Sequence, residues 1–353
     1  MPTLAIPGGT SASLGRSIVN AVLAKQKPNK WNLVILSRST RTPTWLRALD
    51  PKADHHTIRA VDYSSVDSLT SALQGVHTVV SVTSAVDGTQ AQTQINLLHA
   101  TIRAGCKRFS PSQFGFGYKG WDEISSLQWM NQGVSEECNK HRNEIEISYF
   151  NQGSFMNYLG MGIFTAPEPT GSEQETIARI RQGGGYMSGE DSALEGLQRG
   201  GPLADQSGAF LVGLKSGIAE LPVRSDGNWP RVTFTAMSDV GKFIAASLDL
   251  AKWEERMDMA GETLTMGELL RHAEEVTGKT FNVTTLKTAD IERKMATLQQ
   301  DDFTGLLWAD FNLAYCRDRE DETVLKPTLN TLCPEIEPIG VRAYLDKFWV
   351  QSR

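Results

Sequence analysis

The chain begins with an apolar run, a turn that contains three glycines, and a helical repeat. Residues 4–6 are apolar, residues 7–16 form the turn, and residues 17–24 place apolar side chains at helical spacing. This order predicts a strand, a turn and a helix. Glycines let a backbone approach a pyrophosphate, and the N–H groups at a helix N-terminus face the anion. A second predicted strand at residues 31–36 supports this interpretation over an ordinary tight turn.

Strands and helices continue to alternate as far as residue 110. Residues 57–62, 78–83 and 106–110 are predicted to be strands, with helices at residues 64–73 and 90–104 between them. Such alternation is typical of a parallel sheet that is covered by helices on both faces. The sequence therefore predicts an α/β fold with a doubly wound parallel sheet.

The composition excludes several classes of protein. The 353 residues are 40% hydrophobic and 22% charged, and the net charge of −6 lacks the basic character of direct nucleic-acid binding. The four cysteines are widely spaced without a CxxC pair, and no apolar run is long enough to cross a membrane. We therefore expect a cytoplasmic protein that contacts neither membranes nor nucleic acid directly.

The end of the second predicted strand indicates which dinucleotide the fold would bind. An acidic residue is usual there for the ribose 2′-hydroxyl of NAD, whereas this chain has Ser37, Arg38, Ser39 and Arg41. An arginine with small hydroxyls suits a 2′-phosphate instead. A solvated basic turn is the alternative, but the position after the strand favours NADP(H).

Residues 107–158 are predicted to form one wall of a cofactor and substrate cleft. Residues 107–115 and 151–158 have the pattern of strand ends that break into polar, glycine-containing loops. In an open parallel sheet such loops lie at the carboxyl edge, where ligands bind. The segment is also rich in aromatic residues. Loops that simply cover a core are the alternative interpretation.

In the C-terminal half, the alternation of strand and helix patterns is less regular. Residues 166–207 are rich in glycine and proline, and they predict a lid over bound substrate, with a surface insertion as the alternative. A strand is predicted at residues 231–235 and a helix at residues 240–250, preceded by Asp239. The mixed charges of residues 317–322 are typical of a solvated segment.

Standard metal and nucleophile motifs are missing from the sequence. It contains no HExxH, no GxSxG with a plausible triad and no phosphate-binding Walker loop. The pair His55-His56 lies in a polar stretch, which is more typical of exposed side chains than of metal ligands. We therefore expect no metal site.

The motifs in this order resemble those of the NmrA-like and isoflavone reductase-like family of atypical short-chain dehydrogenases. The resemblance is carried by Gly8-Gly9-Thr10 with Leu14-Gly15-Arg16, by Ser37-Arg38, by residues 107–115 and 153–158, and by Phe234-Thr235 with Asp239-Val240-Gly241. It implies an extended Rossmann domain that binds NADP(H), with a small-molecule substrate between it and a smaller C-terminal α/β part. Residues 1–158 would be the NADP-binding core and residues 159–353 the substrate-binding part, from which residues 231–250 return to the core.

The resemblance and the residue types together give a set of candidate binding residues. The candidates for the cofactor are Gly8, Gly9, Thr10, Ser13, Leu14, Gly15, Ser37, Arg38, Ser39, Thr83, Ser112, Gln113, Gly153 and Phe155. The candidates for an apolar substrate pocket are Phe114, Trp121, Trp129, Met156, Tyr158, Phe164 and Tyr186.

Two departures from the family pattern concern the chemistry. The family loop usually reads PSEFG, and Gln113 takes the place of its glutamate. Reductases of the family carry a lysine at the start of the next helix, and the matching spacing falls here on Asn131, beside Gln132. Neither amide supplies a proton as an ammonium does. Lys119 is the candidate substitute, and Lys140 a weaker one.

Three functions are compatible with these residues. We expect first an NADPH-dependent reductase of a bulky, aromatic or alkaloid-like secondary metabolite, with hydride transfer to a C=C, C=N or C=O bond. The second is an NADP(H)-binding cyclase or isomerase of the same fold, which the missing lysine favours. The third is a non-catalytic dinucleotide sensor with a transcription factor as its partner.

Overall fold

The computed structural model describes residues 1–11, 13–24, 31–159, 172, 174–175, 202–203, 209–299 and 302–349. Within these ranges the strands are β1 Thr3–Pro7, β2 Asn32–Ser37, β3 His56–Ala60, β4 Thr78–Val80, β5 Arg108–Ser110, β6 Glu146–Ile147, β7 Tyr149–Asn151, β8 Ser154–Phe155, β9 Val212–Gly213, β10 Ile218–Pro222, β11 Arg231–Thr235, β12 Arg256–Asp258, β13 Glu262–Thr265 and β14 Asn282–Leu286.

The helices follow in the same chain order. They are α1 Leu14–Ala24, α2 Thr44–Leu49, α3 Val66–Ala72, α4 Gln90–Arg103, α5 Tyr118–Glu123, α6 Ser125–Met130, α7 Val134–Lys140, α8 Met237–Ser247, α9 Met266–Thr277, α10 Thr288–Met295, α11 Phe303–Arg317, α12 Thr328–Leu332 and α13 Val341–Trp349, with a 3₁₀ turn at Met156–Tyr158.

A six-stranded parallel sheet forms the centre of the N-terminal part. Its strands lie in the order β3-β2-β1-β4-β5-β6, and every neighbouring pair is parallel. The strand order reverses next to β1, and a crevice opens at such a point outside the carboxyl ends of the strands. The predicted doubly wound α/β fold is confirmed, and the crevice fixes where a ligand would lie.

Helices cover both faces of this sheet with apolar side chains. On one face, Ile18 of α1 and Trp45 of α2 share a core with Phe243 of α8, a helix from the C-terminal half. On the other face, Leu98 of α4 and Val134 of α7 pack over the strands. Successive strand residues point to opposite faces, so one sheet supplies both cores.

The C-terminal half builds a further core around α9, α11 and α13. Two small sheets, β14-β10-β9 and β13-β11-β8, lie beside these helices. In the second of them β8 runs parallel to β11, with Ser154 opposite Phe234 and Phe155 opposite Thr235. Through β8 the last segment of the N-terminal part becomes a strand of the C-terminal part.

Most predicted elements are present with shifted ends. β4 ends at Val80, so Thr83 lies in the loop after the strand rather than in the strand itself. Helix α9 begins with a capping box, in which Thr265 accepts from the Glu268 N–H and the Glu268 side chain accepts from the Thr265 N–H.

The start of α8 differs from the predicted one. The helix begins at Met237, so Asp239 lies inside its first turn rather than before it. The buried Asp239 carboxylate accepts from the Ile339 N–H at 2.7 Å and from the Lys242 ammonium at 2.7 Å. These two hydrogen bonds explain why an acidic residue is found in the first turn of α8, at a position where the sequence pattern predicted a helix cap.

The prediction of a solvated segment at residues 317–322 is correct for Arg319 and Glu320, which are exposed, but wrong for Glu322. Glu322 is fully buried, and the Arg317 Nε donates to its carboxylate at 2.9 Å. The Glu322 carbonyl oxygen also accepts from the Gly117 N–H at 2.9 Å. The charges therefore neutralise each other inside the fold, and the segment closes over the start of α5.

The interpretation of both His55 and His56 as exposed is correct only for the first. His56 is buried, and its Nδ1 lies 2.7 Å from the Asp50 carboxylate. The same carboxylate accepts from the His55 N–H at 3.0 Å. His56 therefore belongs to a local structural pair.

Arg108 at the start of β5 is buried, and its hydrogen bonds connect the sheet to the segment after α8. Its Nε donates to the Glu146 carboxylate at 2.8 Å. Its terminal nitrogens donate to the carbonyl oxygens of Leu248, Leu250 and Ala251 at 3.3, 2.8 and 3.0 Å. Because these acceptors face one guanidinium, its removal would take a donor from all of them at once.

We expect Arg108→Met to lower the free energy of unfolding by about 1.5–3 kcal/mol, the usual contribution of hydrogen bonds to a charged group, because Glu146 is partly exposed. The matched control is Arg103→Met, which removes an arginine whose pair with Asp67 is exposed and is expected to cost about 0–1 kcal/mol. Urea unfolding followed by circular dichroism measures both changes. Equal losses for the two variants would contradict the role given to Arg108.

None of the helices in the described ranges combines the length and the apolar character that crossing a bilayer requires. Nearly all of the predicted lid at residues 166–207 lies outside the described residues, as do Phe164 and Tyr186.

Candidate functional site

A cleft of about 950 Å³ opens at the carboxyl ends of β1, β2, β3 and β4. Among the described residues, those that line it are Gly8, Thr10, Ser11, Ser37, Arg38, Val61, Asp62, Tyr63, Ser64, Val82, Thr83, Ser84, Ala85, Asp87, Gly88, Thr89, Gln90, Gln92, Thr93 and Asn96. The cleft runs from the glycine turn after β1 across the ends of the neighbouring strands. It therefore occupies the crevice in which folds of this strand order bind dinucleotides.

Gly8 shapes the floor of the cleft. Its φ is +78°, and a Cβ atom there would lie 2.9 Å from the Thr83 backbone nitrogen. The Gly8 N–H points to the Leu36 carbonyl oxygen at 3.0 Å and to the Tyr63 hydroxyl at 3.0 Å. Only glycine accommodates both the positive φ and the close backbone, so the turn keeps its surface free for a ligand.

Tyr63 is a residue that the sequence analysis missed. Its hydroxyl accepts from the Gly8 N–H and donates to the Leu36 carbonyl oxygen at 2.8 Å. Burial raises the pKa of Tyr63 to about 12, so the phenol keeps its proton at neutral pH. Tyr63 thereby joins β1 to β2 below the cleft. No local motif marks a tyrosine after β3 for this role.

The start of α1 completes the turn. Ser11 Oγ accepts from the Ser13 N–H at 3.2 Å and lies 2.8 Å from the Ser13 hydroxyl. A Cβ atom on Gly15 would lie 3.0 Å from Gly9 Cα, so the helix packs directly on the turn. Of the predicted turn residues, Gly8 and Thr10 line the cleft, whereas Gly9, Ser13, Leu14 and Gly15 build the turn and the helix start.

Some of the residues predicted to bind the 2′-phosphate line the cleft and others do not. Ser37 and Arg38 line the cleft, with the Arg38 side chain exposed. Ser39 does not line it, and its hydroxyl accepts from the Arg41 N–H at 3.1 Å. The pKa of Asp87 lies below its usual value because Thr89 hydrogen-bonds the carboxylate, and the Arg38 charge adds to this shift. Arg38 and Asp87 both line the cleft.

Gln94 of α4 connects the loops after β4 and β5. Its Nε2 donates to Thr83 Oγ1 at 2.6 Å, and its Oε1 accepts from the Ser112 N–H at 2.9 Å. This amide sets the spacing of Thr83 and Ser112, both of which the sequence analysis had selected. The neighbouring Gln113 is buried and does not line the cleft. The sequence analysis missed Gln94, because a glutamine on a helix carries no distinctive signal.

A second, smaller cavity of about 80 Å³ lies where the N-terminal and C-terminal parts meet. Among the described residues its lining is Phe114, Gly115, Phe116, Leu127, Gln152, Gly153, Ser154, Phe155, Tyr158, Phe210, Phe311 and Tyr315. Phe114 and Gly115 follow Ser112 closely in the chain, so the loop after β5 reaches from the cleft network to this cavity. Four predicted site residues meet here, namely Phe114, Gly153, Phe155 and Tyr158.

The polar atoms of this cavity form a compact set. The hydroxyls of Ser154 and Tyr315 lie 2.5 Å apart. Tyr315 is completely buried, and burial raises its pKa far above the usual value, although the Ser154 hydrogen bond opposes the shift. Gln152 Oε1 is buried without a hydrogen-bond partner among the described residues. A ligand with a hydrogen-bond donor would satisfy this oxygen.

The three candidate catalytic residues lie outside the lining of both cavities. Lys119 is held by the charged segment, with its ammonium 3.5 Å from the Glu320 carbonyl oxygen. Gln132 is exposed. Asn131 is buried at the end of α6, where its Nδ2 donates to the Leu127 carbonyl oxygen at 3.3 Å. Of the three, only Asn131 contacts a residue that lines the smaller cavity.

The remaining predicted substrate residues have different surroundings. Met156 is fully buried in the C-terminal core, and Trp121 packs against that core beside Gly115. Trp129 is 49% exposed and packs against Phe303. The structure therefore brings Phe114 and Tyr158 into the cavity but not these three.

Comparison with known proteins agrees with this geometry. Residues 2–128 match the model of the NmrA-like family. The chain is also 26% identical over 284 residues to oxidoreductase BOA1 of Botryotinia fuckeliana, which covers 79% of this chain and 77% of that protein. The predicted resemblance to the NmrA-like family is thus confirmed over residues 2–128, and the curated relative is named an oxidoreductase.

Solved structures share the same fold over nearly the whole chain. One is a binary complex of leucoanthocyanidin reductase with NADPH from Vitis vinifera, with 17% identity, a TM-score of 0.64 and coverage of 99% of this chain and 100% of that one. Another is AtPrR2 with NADP+ and (+)-pinoresinol, with 22% identity, a TM-score of 0.66 and coverage of 98% of both chains. These likenesses show that the NmrA-like part and the C-terminal part together form one known architecture.

We expect Arg38→Ala to weaken NADPH binding by roughly 1.5–3 kcal/mol, the usual contribution of a hydrogen bond to a charged group. NADH binding should change little, because NADH lacks the 2′-phosphate. Arg41→Ala is the matched control, since it removes the same charge three positions later from a side chain that does not line the cleft. Calorimetry with both nucleotides measures the effect. An equal loss for NADPH and NADH in Arg38→Ala would rule out the 2′-phosphate contact.

Proposed function

We propose that the protein is an NADPH-dependent reductase of a bulky, aromatic or alkaloid-like secondary metabolite. The observation that carries this proposal is the arrangement of the two cavities. A dinucleotide-sized cleft at the switch point is joined, through the loop after β5, to a small aromatic cavity that contains a buried hydroxyl pair. The name of the curated relative and the fold of the solved reductases support the same class of reaction.

The described residues fit NADP(H) in one orientation. Arg38 and Ser37 would hold the 2′-phosphate, and the glycine turn with the α1 N-terminus would hold the pyrophosphate. The far end of the cofactor would then reach Thr83 and Ser112. Gly153 and Phe155, which line the smaller cavity, are the proposed contacts for the nicotinamide. NADPH supplies a hydride when it is bound there.

The substrate would place its reacting bond in the smaller cavity. Phe114, Phe155, Tyr158, Phe210 and Phe311 offer aromatic surface, and an apolar lining with few polar groups is usual for such sites. The 80 Å³ of space holds the reacting end of a molecule rather than a whole bulky metabolite. The unpaired Gln152 oxygen would accept a hydrogen bond from a substrate hydroxyl or N–H, which gives orientation.

Tyr315 is our proposed proton donor in place of the family lysine. Hydride addition to the carbon of a C=O bond leaves charge on oxygen, and the Tyr315 hydroxyl would give that oxygen its proton. Ser154, at hydrogen-bond distance, would stabilise the phenolate by donating a hydrogen bond to it, and a proton from solvent would restore the phenol after product release. Since burial keeps the pKa of Tyr315 high, the residue is protonated before the reaction, and its proton would pass only to a strong base such as the developing alkoxide. An iminium substrate would need no such acid.

The cyclase or isomerase alternative is favoured by one observation. The hydrogen-bonding groups in the smaller cavity are neutral among the described residues, and hydroxyls alone can move a proton without net reduction. Under this alternative the cofactor would only shape the pocket. Because both functions use the same cavity, the consumption of NADPH separates them.

The function is tested by incubating the protein with NADPH and a panel of aromatic ketones, enones and cyclic iminium compounds. We expect stoichiometric loss of NADPH absorbance and a product that gains one hydride and one proton by mass spectrometry. A product of unchanged mass formed without NADPH loss would instead establish the isomerase alternative. Tight NADPH binding with no product from any compound would argue against both.

We expect Tyr315→Phe to lower kcat for a carbonyl substrate by a factor of roughly 10²–10⁴, the usual contribution of general acid catalysis. NADPH binding should be unchanged. Tyr344→Phe is the matched control, because it removes another buried tyrosine hydroxyl, on α13. Lys119→Met, Asn131→Ala and Gln132→Ala complete the set. If Lys119→Met abolishes turnover while Tyr315→Phe keeps it, the proton comes from the lysine instead.

A further inference from the structure

Three side chains with metal-ligand chemistry converge on the outer surface of the N-terminal part. His99 lies on α4, Glu137 lies on α7, and His141 follows directly after α7. The His99 Nε2 lies 2.9 Å from Glu137 Oε1, and the His141 Nε2 lies 3.5 Å from the same oxygen. The three ligand atoms are all within 4.8 Å of one another. Three donors from two helices therefore surround one point.

The separations suit a small divalent cation. Zinc binds imidazole nitrogen and carboxylate oxygen at about 2.0–2.2 Å in a tetrahedron, so neighbouring donors lie about 3.3 Å apart. The two measured separations of 2.9 and 3.5 Å bracket this value. Glu137 and His141 are four residues apart, which places their side chains on one face of a helical turn. The three side chains are 20–37% exposed, so the point is open to solvent for a fourth ligand, such as water.

A contact with Glu144 leaves the Nε2 of His141 available to bind a metal. Its Nδ1 lies 2.7 Å from the Glu144 carboxylate, and that contact keeps the proton on Nδ1. The lone pair of Nε2 then faces Glu137. A carboxylate that holds the second nitrogen of a ligating histidine is a common support of zinc ligands. This contact is a second observation that points to a ligand at the cluster.

Lys140 occupies the other oxygen of the central carboxylate. Its ammonium donates to Glu137 Oε2 at 2.7 Å, which leaves Oε1 toward the two imidazoles. The carboxylate is therefore available as a ligand that binds through Oε1. Lys140 competes for Glu137 without blocking the metal position.

We propose that His99, Glu137 and His141 form a zinc-binding site that links α4 to α7. The N-terminal half of α4 carries Gln90, Gln92 and Asn96, which line the large cleft, and His99 lies one turn further along. A metal at this position would brace that wall of the cleft from outside. The site does not depend on the proposed reductase function. Its ligands are 38 and 4 residues apart along the chain, which matches no standard spacing motif.

The site is tested by calorimetry with zinc chloride on protein that has been treated with EDTA and freed of any histidine tag. We expect one zinc per chain at neutral pH. His99→Ala and His141→Ala should each weaken zinc binding by at least tenfold, and Glu137→Gln should do the same. Glu144→Ala should weaken it by about 10–100-fold, as loss of an outer-shell partner does. Lys140→Met should keep or tighten binding, because it frees Glu137.

The matched control is His272→Ala, which removes a mostly buried histidine that lies 3.9 Å from Glu275 on α9, outside the cluster. This variant should bind zinc like the unaltered protein. The proposal is overturned if the unaltered protein binds no zinc, or if His99→Ala and His141→Ala bind it as tightly as His272→Ala does. Cobalt(II) added in place of zinc gives an independent readout, since its visible absorption reports histidine coordination and should disappear in His141→Ala.

Discussion

The close approach of two backbones at Gly153 is the contact on which the smaller cavity depends. Gly153 has a φ of +71°, and a Cβ atom there would lie 2.2 Å from the Thr233 carbonyl oxygen. Its N–H donates to the Gly115 carbonyl oxygen at 2.8 Å. The contact therefore joins the loop after β5, the start of β8 and strand β11. A side chain at this position would push β8 from β11 and open the cavity.

The N-terminal and C-terminal halves, which meet at Gly153, contribute different groups to the site. The parallel sheet supplies the cleft, because its strand order opens a crevice beside β1 and the loops after β4 and β5 border it. The C-terminal helix α11 supplies Tyr315, whose hydroxyl meets Ser154 of β8. The cofactor and the reacting group would thus be held by different parts of the chain, whose relative position is fixed at Gly153.

Local patterns predicted the elements better than they predicted the site. The strand, turn and helix at the N-terminus, the cap at Thr265 and the cleft residues Arg38 and Thr83 could be read from short stretches, since each depends on neighbours in sequence. The prediction of a solvated segment at residues 317–322 was wrong for Glu322, which is buried, for the opposite reason. Its charges are neutralised by pairing and by backbone contacts with distant loops, which charge pattern alone does not reveal.

The sequence alone determined the doubly wound sheet, the glycine turn and the basic end of β2, because hydrophobic periodicity and turn chemistry act over a few residues. The tertiary structure decided which polar groups meet. It placed Lys119 against the charged segment, left Gln132 exposed and brought Tyr315 beside Ser154, 161 positions away in sequence. Such pairs follow from the packing of whole helices against the sheet, and helix packing is set by the sum of many apolar contacts rather than by any motif.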